Sequence, residues 1–583
     1  MRHVLPVFCA AIALVLLATP ALAQDWPMAG GNAARTGVTY SEPSAFPATL
    51  WSTALSGPVA SEPVVSTAGG VPLVLAVRSA PLTLVALQAS GGSSAWTEPL
   101  SDLAPTGWEA FGEPAAPAAD ASRVFLQFTT YNATTDRYQD RLVALDRVAG
   151  GLAWSFAGNE YASAIDPGVR SSPLLVGTRV FFGSGDGFVR ALAKNSTLLW
   201  EKDVGAPVVA SISLLSTGNP LVQDLILAGD TAGSLHALDP EGLANGDQGF
   251  PDPAGTGDIV WETDLGAPVT SAPVGGRTAA FAVAGSRVVA LHPAFGSVNW
   301  SVTLPTPALG PLVATNTTLV VGAADGWVRA LSVSDGSAVW SQSLGTLRPW
   351  IVATPTRVFT AAAWNGTADQ LVALSPATGG PTWGRALPAP VAFGTIADKV
   401  LYVAFGSPAR IGALAGQPDL AVRPADVSIT PTARQDVFEA SVDVTVRNAG
   451  DANASHVFRV DVYDAMQGRL TPLANGTFPY LKPGDAVHVT VDAWSFAAGP
   501  HSIRVDVEAI PGERDTTNNE ASIAFYAAAG PPNIVYQWAL SIFLAIVLVG
   551  VAGVGAGWLM GTAGQRRERA LQAMLQEREK AGP

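Results

Sequence analysis

The sequence predicts an all-β protein: an eight-bladed β-propeller, then an immunoglobulin-like β-sandwich, then a single transmembrane helix. Three observations carry this. Eight Ala-Leu pairs along residues 24–416 recur at matching places in a repeat, and most of these are followed by a tryptophan at a fixed distance. Residues 417–528 lose that repeat and alternate apolar with polar positions. Residues 534–560 contain no charged side chain.

The pairs begin at Ala86, Ala144, Ala191, Ala237, Ala290, Ala330, Ala373 and Ala413. Trp96, Trp154, Trp300, Trp340 and Trp383 each follow their alanine by ten residues, with a glycine six residues after that alanine. Trp200 follows by nine, and Trp261 follows after a longer insertion. Each repeat runs through short Val-, Phe- and Leu-rich segments broken by Gly, Asp and Pro, the pattern of antiparallel strands joined by tight turns. Four such strands in ~45 residues make one propeller blade. The eighth Ala-Leu pair has no tryptophan after it, while Trp51 stands unpaired near the beginning. The expectation is that residues 391–416 supply three strands of the last blade and the segment around Trp51 supplies the fourth. Such closure removes exposed sheet edges.

The pattern Ala-x-Asp-x-x-x-Gly-x-x-x-Trp, realised by Ala144, Asp146, Gly150 and Trp154, resembles the tryptophan-docking repeat of pyrroloquinoline-quinone (PQQ) dehydrogenase propellers. Asp25-Trp26-Pro27-Met28, Asn32 and Arg35-Thr36-Gly37 are similar to the N-terminal segment of PQQ-like propellers. The resemblance spans about residues 25–416. It implies either a redox enzyme or a non-enzymatic platform for other proteins. An enzyme of that family requires PQQ, a bound calcium-type cation and an aspartate base. Its adjacent-cysteine clamp cannot form, because the only cysteine is Cys9. No cation set or catalytic base can be assigned, so no catalytic, cofactor-binding or metal residue is named, and the enzyme reading stays second.

In the second domain, Val446-Arg447-Asn448-Ala449-Gly450, Leu481-Lys482-Pro483-Gly484 and Asp515-Thr516-Thr517-Asn518-Asn519-Glu520 resemble the signature of CARDB, an adhesion-related module of bacterial and archaeal surface proteins. Their physical content is turn chemistry, since Asn, Gly and Pro supply the backbone angles that hairpins need.

The two ends set the expected location. Residues 1–23 read as a signal peptide, with Arg2 and His3, an apolar run, and Ala21-Leu22-Ala23 before the cleavage point. No cysteine follows that point, so a lipoprotein anchor is not expected. The segment 534–560 is long enough to span a bilayer. Tyr536 and Trp538 stand near one end of it and Trp558 near the other. Arginines in the tail, residues 565–583, place that tail in the cytoplasm and the rest outside. Gly553, Gly557 and Gly561 share one helical face that would admit a homodimer partner.

The formal charge is −14. With Arg2 and the tail after Gly564 (five basic, three acidic) set aside, the exterior carries −17, which argues against nucleic acid as a partner. Seven Asn-x-Ser/Thr sequons, at Asn132, Asn195, Asn299, Asn316, Asn365, Asn453 and Asn475, are expected glycan acceptors on a glycoprotein. The six histidines are scattered, and His236 and His292 read as ordinary blade residues. Asp247 and Asp252, in the Gly- and Pro-rich insertion after Asp239, read as a solvated loop. The Asp-Gly pairs at Asp186 and Asp325 read as hairpin turns. The leading expectation is a membrane-anchored, cell-surface binding or scaffolding protein whose partners are extracytoplasmic proteins or glycans. A membrane-tethered quinoprotein oxidoreductase and an adhesin follow it.

Overall fold

Each repeat folds as a four-stranded antiparallel meander because its apolar runs are too short to form helices and end at residues that turn the chain. The computed structural model describes residues 26–44, 47–162, 171–218, 224–241, 259–364, 370–387, 389–432, 438–528 and 541–545. Two compact units divide the chain, residues 1–416 and 417–583.

The first unit contains eight sheets, one per blade. Blade 1 runs through Val64–Ser66, Leu73–Arg78, Thr83–Gln88 and Ser94–Pro99, and the later blades repeat that order. Blade 8 is made of Val391–Ala397, Val400–Phe405 and Arg410–Ala415, and its outer strand is Ala48–Ala54. Trp51 faces Ala413 across that pairing, as each repeat tryptophan faces the alanine of its own Ala-Leu pair. The expected closure of the ring is therefore present.

The tryptophans join the blades in sequence. From the outer strand of one blade, the indole N–H donates to a carbonyl in the turn before the outer strand of the next. Trp51 reaches Ala89 O (2.8 Å), Trp96 reaches Arg147 O (2.9 Å), Trp154 reaches Lys194 O (2.9 Å) and Trp200 reaches Pro240 O (3.1 Å). Trp261, Trp300 and Trp340 continue with Pro293 O, Val333 O and Pro376 O. Trp383 is buried and meets Phe359 edge-on. The glycine of the repeat now has a reason. Gly92 has φ +71°, and a Cβ there would stand 2.4 Å from the Trp51 ring. Both the left-handed backbone and the close approach exclude any larger side chain. Gly92→Val is expected to destabilise the propeller by at least about 2 kcal/mol, read as a lower chemical-denaturation midpoint at unchanged slope.

Blade 2 is different. Arg123–Asn132, Arg137–Asp146 and Leu152–Tyr161 are ten residues each, against six for the corresponding strands of blade 1. Measured from the Ala-Leu alanine, its central hairpin runs about four residues further, ~13 Å at the usual rise of a strand. An additional strand, Glu109–Phe111, pairs only with this overhang.

The second unit is a sandwich of two antiparallel sheets. Phe438–Asn448 pairs with Leu420–Ala421, Val427–Pro431 and Ala486–Phe496 in one. Arg469–Phe478, Phe458–Met466, Gly499–Val507 and Glu520–Ala527 form the other. Val442, Val444, Val460, Val462, Ile503 and Val505 fill the space between. Asn448 crosses this core edge, donating to Ala452 O and Leu481 O while accepting from Asp419 N and Gly450 N. The Asn-Ala-Gly turn is thus pinned by its own asparagine. His501 is buried between Asp464 Oδ1 and Ala497 O, at 2.7 Å from each.

The segment 534–560 lies outside the described residues except for residues 541–545, which are helical. Among the described residues no helix is long and apolar enough to cross a membrane. Residues 1–25 and Gly553, Gly557 and Gly561 also lie outside them.

Candidate functional site

The axis of the propeller is filled by the chain itself. Residues 26–44 circle it and touch the inner strand of each blade, or the residues flanking it, in turn. Trp26 bridges Val65 of blade 1, and Pro27 O accepts from Ala119 N of blade 2. Ala33 O accepts from Leu214 N, Ala34 O from Gly275 N, Thr36 O from Ala314 N and Gly37 O from Ala353 N, which covers blades 4 to 7. Ser41 Oγ meets Lys399 N of blade 8.

Arg35 locks the segment. Its guanidinium is buried and donates to Ile212 O, Ala29 O and Ser172 O, so it ties blades 3 and 4 to the ring. Among the described residues no carboxylate touches it. Burial lowers its pKa to about 10, with the charge of Glu62 opposing. Glu62 Oε1 accepts from Trp26 Nε1 (2.7 Å) and Gly30 N (3.3 Å). Its carboxyl is pushed up to about 7, chiefly by desolvation, against those two hydrogen bonds and the Arg35 charge.

On the side of the ring away from the turns that end the inner strands lies a cavity of about 100 Å³. Trp26, Glu62, Pro311, Pro349, Trp350, Ile351 and Phe393 line it, together with Gly30, Gly37 and Gly394. The six-membered ring of Trp350 lies so close to Gly394 that a Cβ there would stand 2.7 Å from it. Trp350 is buried, and its Nε1 has no hydrogen-bond partner among the described residues.

Because the folded pKa of Glu62 is raised, the folded state binds its proton more tightly than the unfolded chain does. That contribution to stability is complete below the ordinary glutamate range and is lost as pH rises through about 7. Glu62→Gln, which imitates the protonated acid, should match the wild type near pH ~5. It should melt at a higher temperature than the wild type near pH ~8. A constant difference between the two midpoints across that range would show that Glu62 does not titrate as its surroundings dictate.

The overhang of blade 2 is the other distinctive surface. Tyr131, Tyr138 and Tyr161 stand in one row across three strands, and Phe111 packs against the first two. All four are half-exposed. Beneath them Asp140 is fully buried and accepts from Thr129 Oγ1, Tyr161 OH, Ser184 Oγ and Gly185 N, which ties the overhang to blade 3. Burial raises its pKa, against those four hydrogen bonds.

The residue before Ala-Leu is a further recurring device that the sequence reading passed over. Arg190, His236 and Arg329 each occupy it, and each pairs with the aspartate of its own hairpin turn: Asp186 (2.6 Å), Asp230 (2.9 Å) and Asp325 (2.5 Å). Asp186 and Asp325 are therefore turn residues and ion-pair partners at once. The signal was a basic residue four to six positions after an aspartate, visible only once the Ala-Leu copies are stacked.

Asn195, Asn299, Asn316, Asn453 and Asn475 are exposed and Asn132 is half-exposed, whereas Asn365, Asp247 and Asp252 lie outside the described residues. Among the described residues no three His, Cys, Asp or Glu side chains converge as metal ligands would. The axial cavity also does not fit PQQ. Cofactor-sized ligands take roughly 300 Å³ or more, and one carboxylate lines this space where calcium would take six or more oxygens.

Fold and axis together define a closed eight-bladed propeller sealed by its own N-terminal segment and followed by an immunoglobulin-like module. Residues 83–247 and 252–400, more than half of the chain, match the family described as outer membrane protein assembly factor BamB, and the chain belongs to that PQQ-like propeller family. Residues 417–523 match the CARDB family. Among solved structures, BamB from Moraxella catarrhalis is 16% identical over 64% of this chain and 98% of its own, with a TM-score of 0.44. Quinohemoprotein alcohol dehydrogenase from Comamonas testosteroni is 14% identical over 67% and 80%, with a TM-score of 0.48. Its counterpart ADHIIG from Pseudomonas putida HK5 is 13% identical over 67% and 80%, with a TM-score of 0.49. No curated protein sequence matches the chain.

Proposed function

We propose that this protein is a membrane-anchored binding or scaffolding protein whose propeller engages other extracytoplasmic proteins. The observation that carries the reading is the overhang of blade 2, where four aromatic rings stay half-exposed on a surface without a counterpart among the described residues of the other blades. Tyrosine and phenylalanine in such settings supply large contact area at low conformational cost and are enriched in protein interfaces. The matched family is described as an outer membrane protein assembly factor, which is consistent with a propeller that engages other proteins. The signal peptide, the span 534–560, its Gly553-Gly557-Gly561 dimer face and glycosylation at the sequons belong to the same proposal. In that arrangement the CARDB module stands between propeller and membrane segment in chain order.

The test is in-cell photo-crosslinking from positions 131 and 138 of the full chain. Discrete protein adducts are expected there, and they should be absent from a control position on the exposed face of blade 5, such as Ser301. Tyr131→Ser with Tyr138→Ser should remove adducts formed from position 111. Adducts of equal pattern at all positions would overturn the assignment of this surface.

A further inference from the structure

We propose that the axial cavity is a binding site for a small organic ammonium group, taken either as a free cation or as the tip of a lysine-type side chain presented by a partner. This goes beyond the scaffolding reading and stands without it, since it concerns the axis and not the overhang.

The walls carry the argument. Among the described residues lining the cavity, Glu62 alone bears a charge, and it is negative. One of its oxygens is engaged by Trp26 and Gly30, and its partners hold the carboxylate in place from the segment below. The remaining walls are two indoles, a phenyl ring, two prolines, an isoleucine and glycine backbone. An anion is disfavoured there by the carboxylate, and a neutral apolar ligand would strip water from the half-buried carboxylate without placing a positive charge against it. An ammonium group satisfies both conditions, because it pairs with the carboxylate while its methyl or methylene surface meets the aromatic walls. Aromatic rings beside one carboxylate are the general solution for holding such cations. A volume of about 100 Å³ suits a group of this size. The negative net charge of the chain, −14, favours approach of cations.

Arg35 is the other charged group acting on Glu62, from the same N-terminal segment. It lies behind the carboxylate in the backbone-carbonyl nest that it shares with Ile212, Ala29 and Ser172. Its charge favours the ionised carboxylate, whereas burial favours the proton, and the balance leaves Glu62 titrating near neutral pH. Ammonium binding should therefore displace a proton from Glu62.

The experiment is calorimetric titration of the purified full chain in a phosphate buffer free of Tris and other amines. The probes are tetramethylammonium, choline, and 3,3-dimethylbutan-1-ol, which copies the shape of choline without its charge. Saturable binding of the two cations and none of the alcohol is expected. Affinity for choline should fall about tenfold from pH ~8 to pH ~6, as the carboxylate takes up its proton. Glu62→Gln should weaken choline at least tenfold, with an undiminished melting temperature as its control for folding. Phe393→Leu, which keeps apolar bulk and removes the ring, should weaken it several-fold. Two peptides, one with a single trimethyl-lysine and one with norleucine in its place, separate the sources. A lysine peptide tighter than choline assigns the site to a partner protein, and the reverse assigns it to a free cation. No saturable binding by any cation, equal binding of the neutral alcohol, or unchanged affinity in Glu62→Gln would each overturn the proposal. None of those results bears on crosslinking at the overhang, so the two readings fail separately.

Discussion

Trp340→Ala should lower the stability of the propeller by about 3–5 kcal/mol, the range for deleting a buried tryptophan. The ring is buried at 8% exposure, donates to Pro376 O at 2.7 Å, and covers Gly379 so closely that a Cβ there would stand 2.4 Å from it. The substitution therefore removes a hydrogen bond and opens a void between two blades at once. Trp340→Phe keeps a ring on the glycine and loses the donor, so it should recover all but about 1–2 kcal/mol. Urea denaturation followed by far-ultraviolet circular dichroism measures both. A loss under about 1 kcal/mol for the alanine variant would mean that the docking tryptophans order the blades without stabilising them.

Removal of the Arg35 guanidinium should be comparably severe and more diagnostic. Arg35→Ala leaves the carbonyls of Ala29, Ser172 and Ile212 without their donor in a buried setting, at roughly 1–3 kcal/mol for each that water cannot reach. We expect at least about 3 kcal/mol in total. The specific readout is amide hydrogen exchange at Leu214, Gly275, Ala314 and Ala353, whose N–H groups donate to residues 33–37. Exchange should accelerate at all four together, because one segment serves four blades. Acceleration confined to Leu214, beside the deleted side chain, would show that the segment is held blade by blade.

Much of this architecture was legible because it is periodic. The Ala-Leu spacing, the lone Trp51 and the missing eighth tryptophan identified eight blades and the closing strand, and Trp51 faces Ala413 as that reading requires. The immunoglobulin-like fold was legible for a related reason, since alternation along Phe438–Asn448 and Gly499–Val507 reports one buried face. What sequence could not show were contacts made between repeats. In the five repeats that carry it, the glycine six residues after the alanine is placed by the neighbouring blade's indole, as at Gly92 under Trp51. Glu62 looks like any polar residue before a proline, and its role emerges only when residues 26–44 are laid across the axis. The blade 2 overhang was hidden because Tyr131, Tyr138 and Tyr161 carry no repeat signal and interrupt the periodic pattern. Asp140 was likewise invisible, since its four donors come from two strands of its own blade and a turn of the next.

The closing strand has a consequence for the order of assembly. Ser41 meets Lys399, 358 residues away in the chain, and the pairing of Ala48–Ala54 with Arg410–Ala415 spans a similar interval. On a ribosome making about 5–20 residues per second, the first part of the propeller must wait some tens of seconds for its partner to exist. The middle blades can settle meanwhile, because each tryptophan needs only the next blade. The unclosed horseshoe, however, presents raw strand edges at both ends and an empty hub. Its most vulnerable moment therefore falls just before completion, and a chain truncated short of residue 410 should accumulate as an aggregation-prone species rather than as a seven-bladed ring. A companion that shields nascent edges would act on this protein late in its synthesis, with the N-terminal segment as the piece it must keep free.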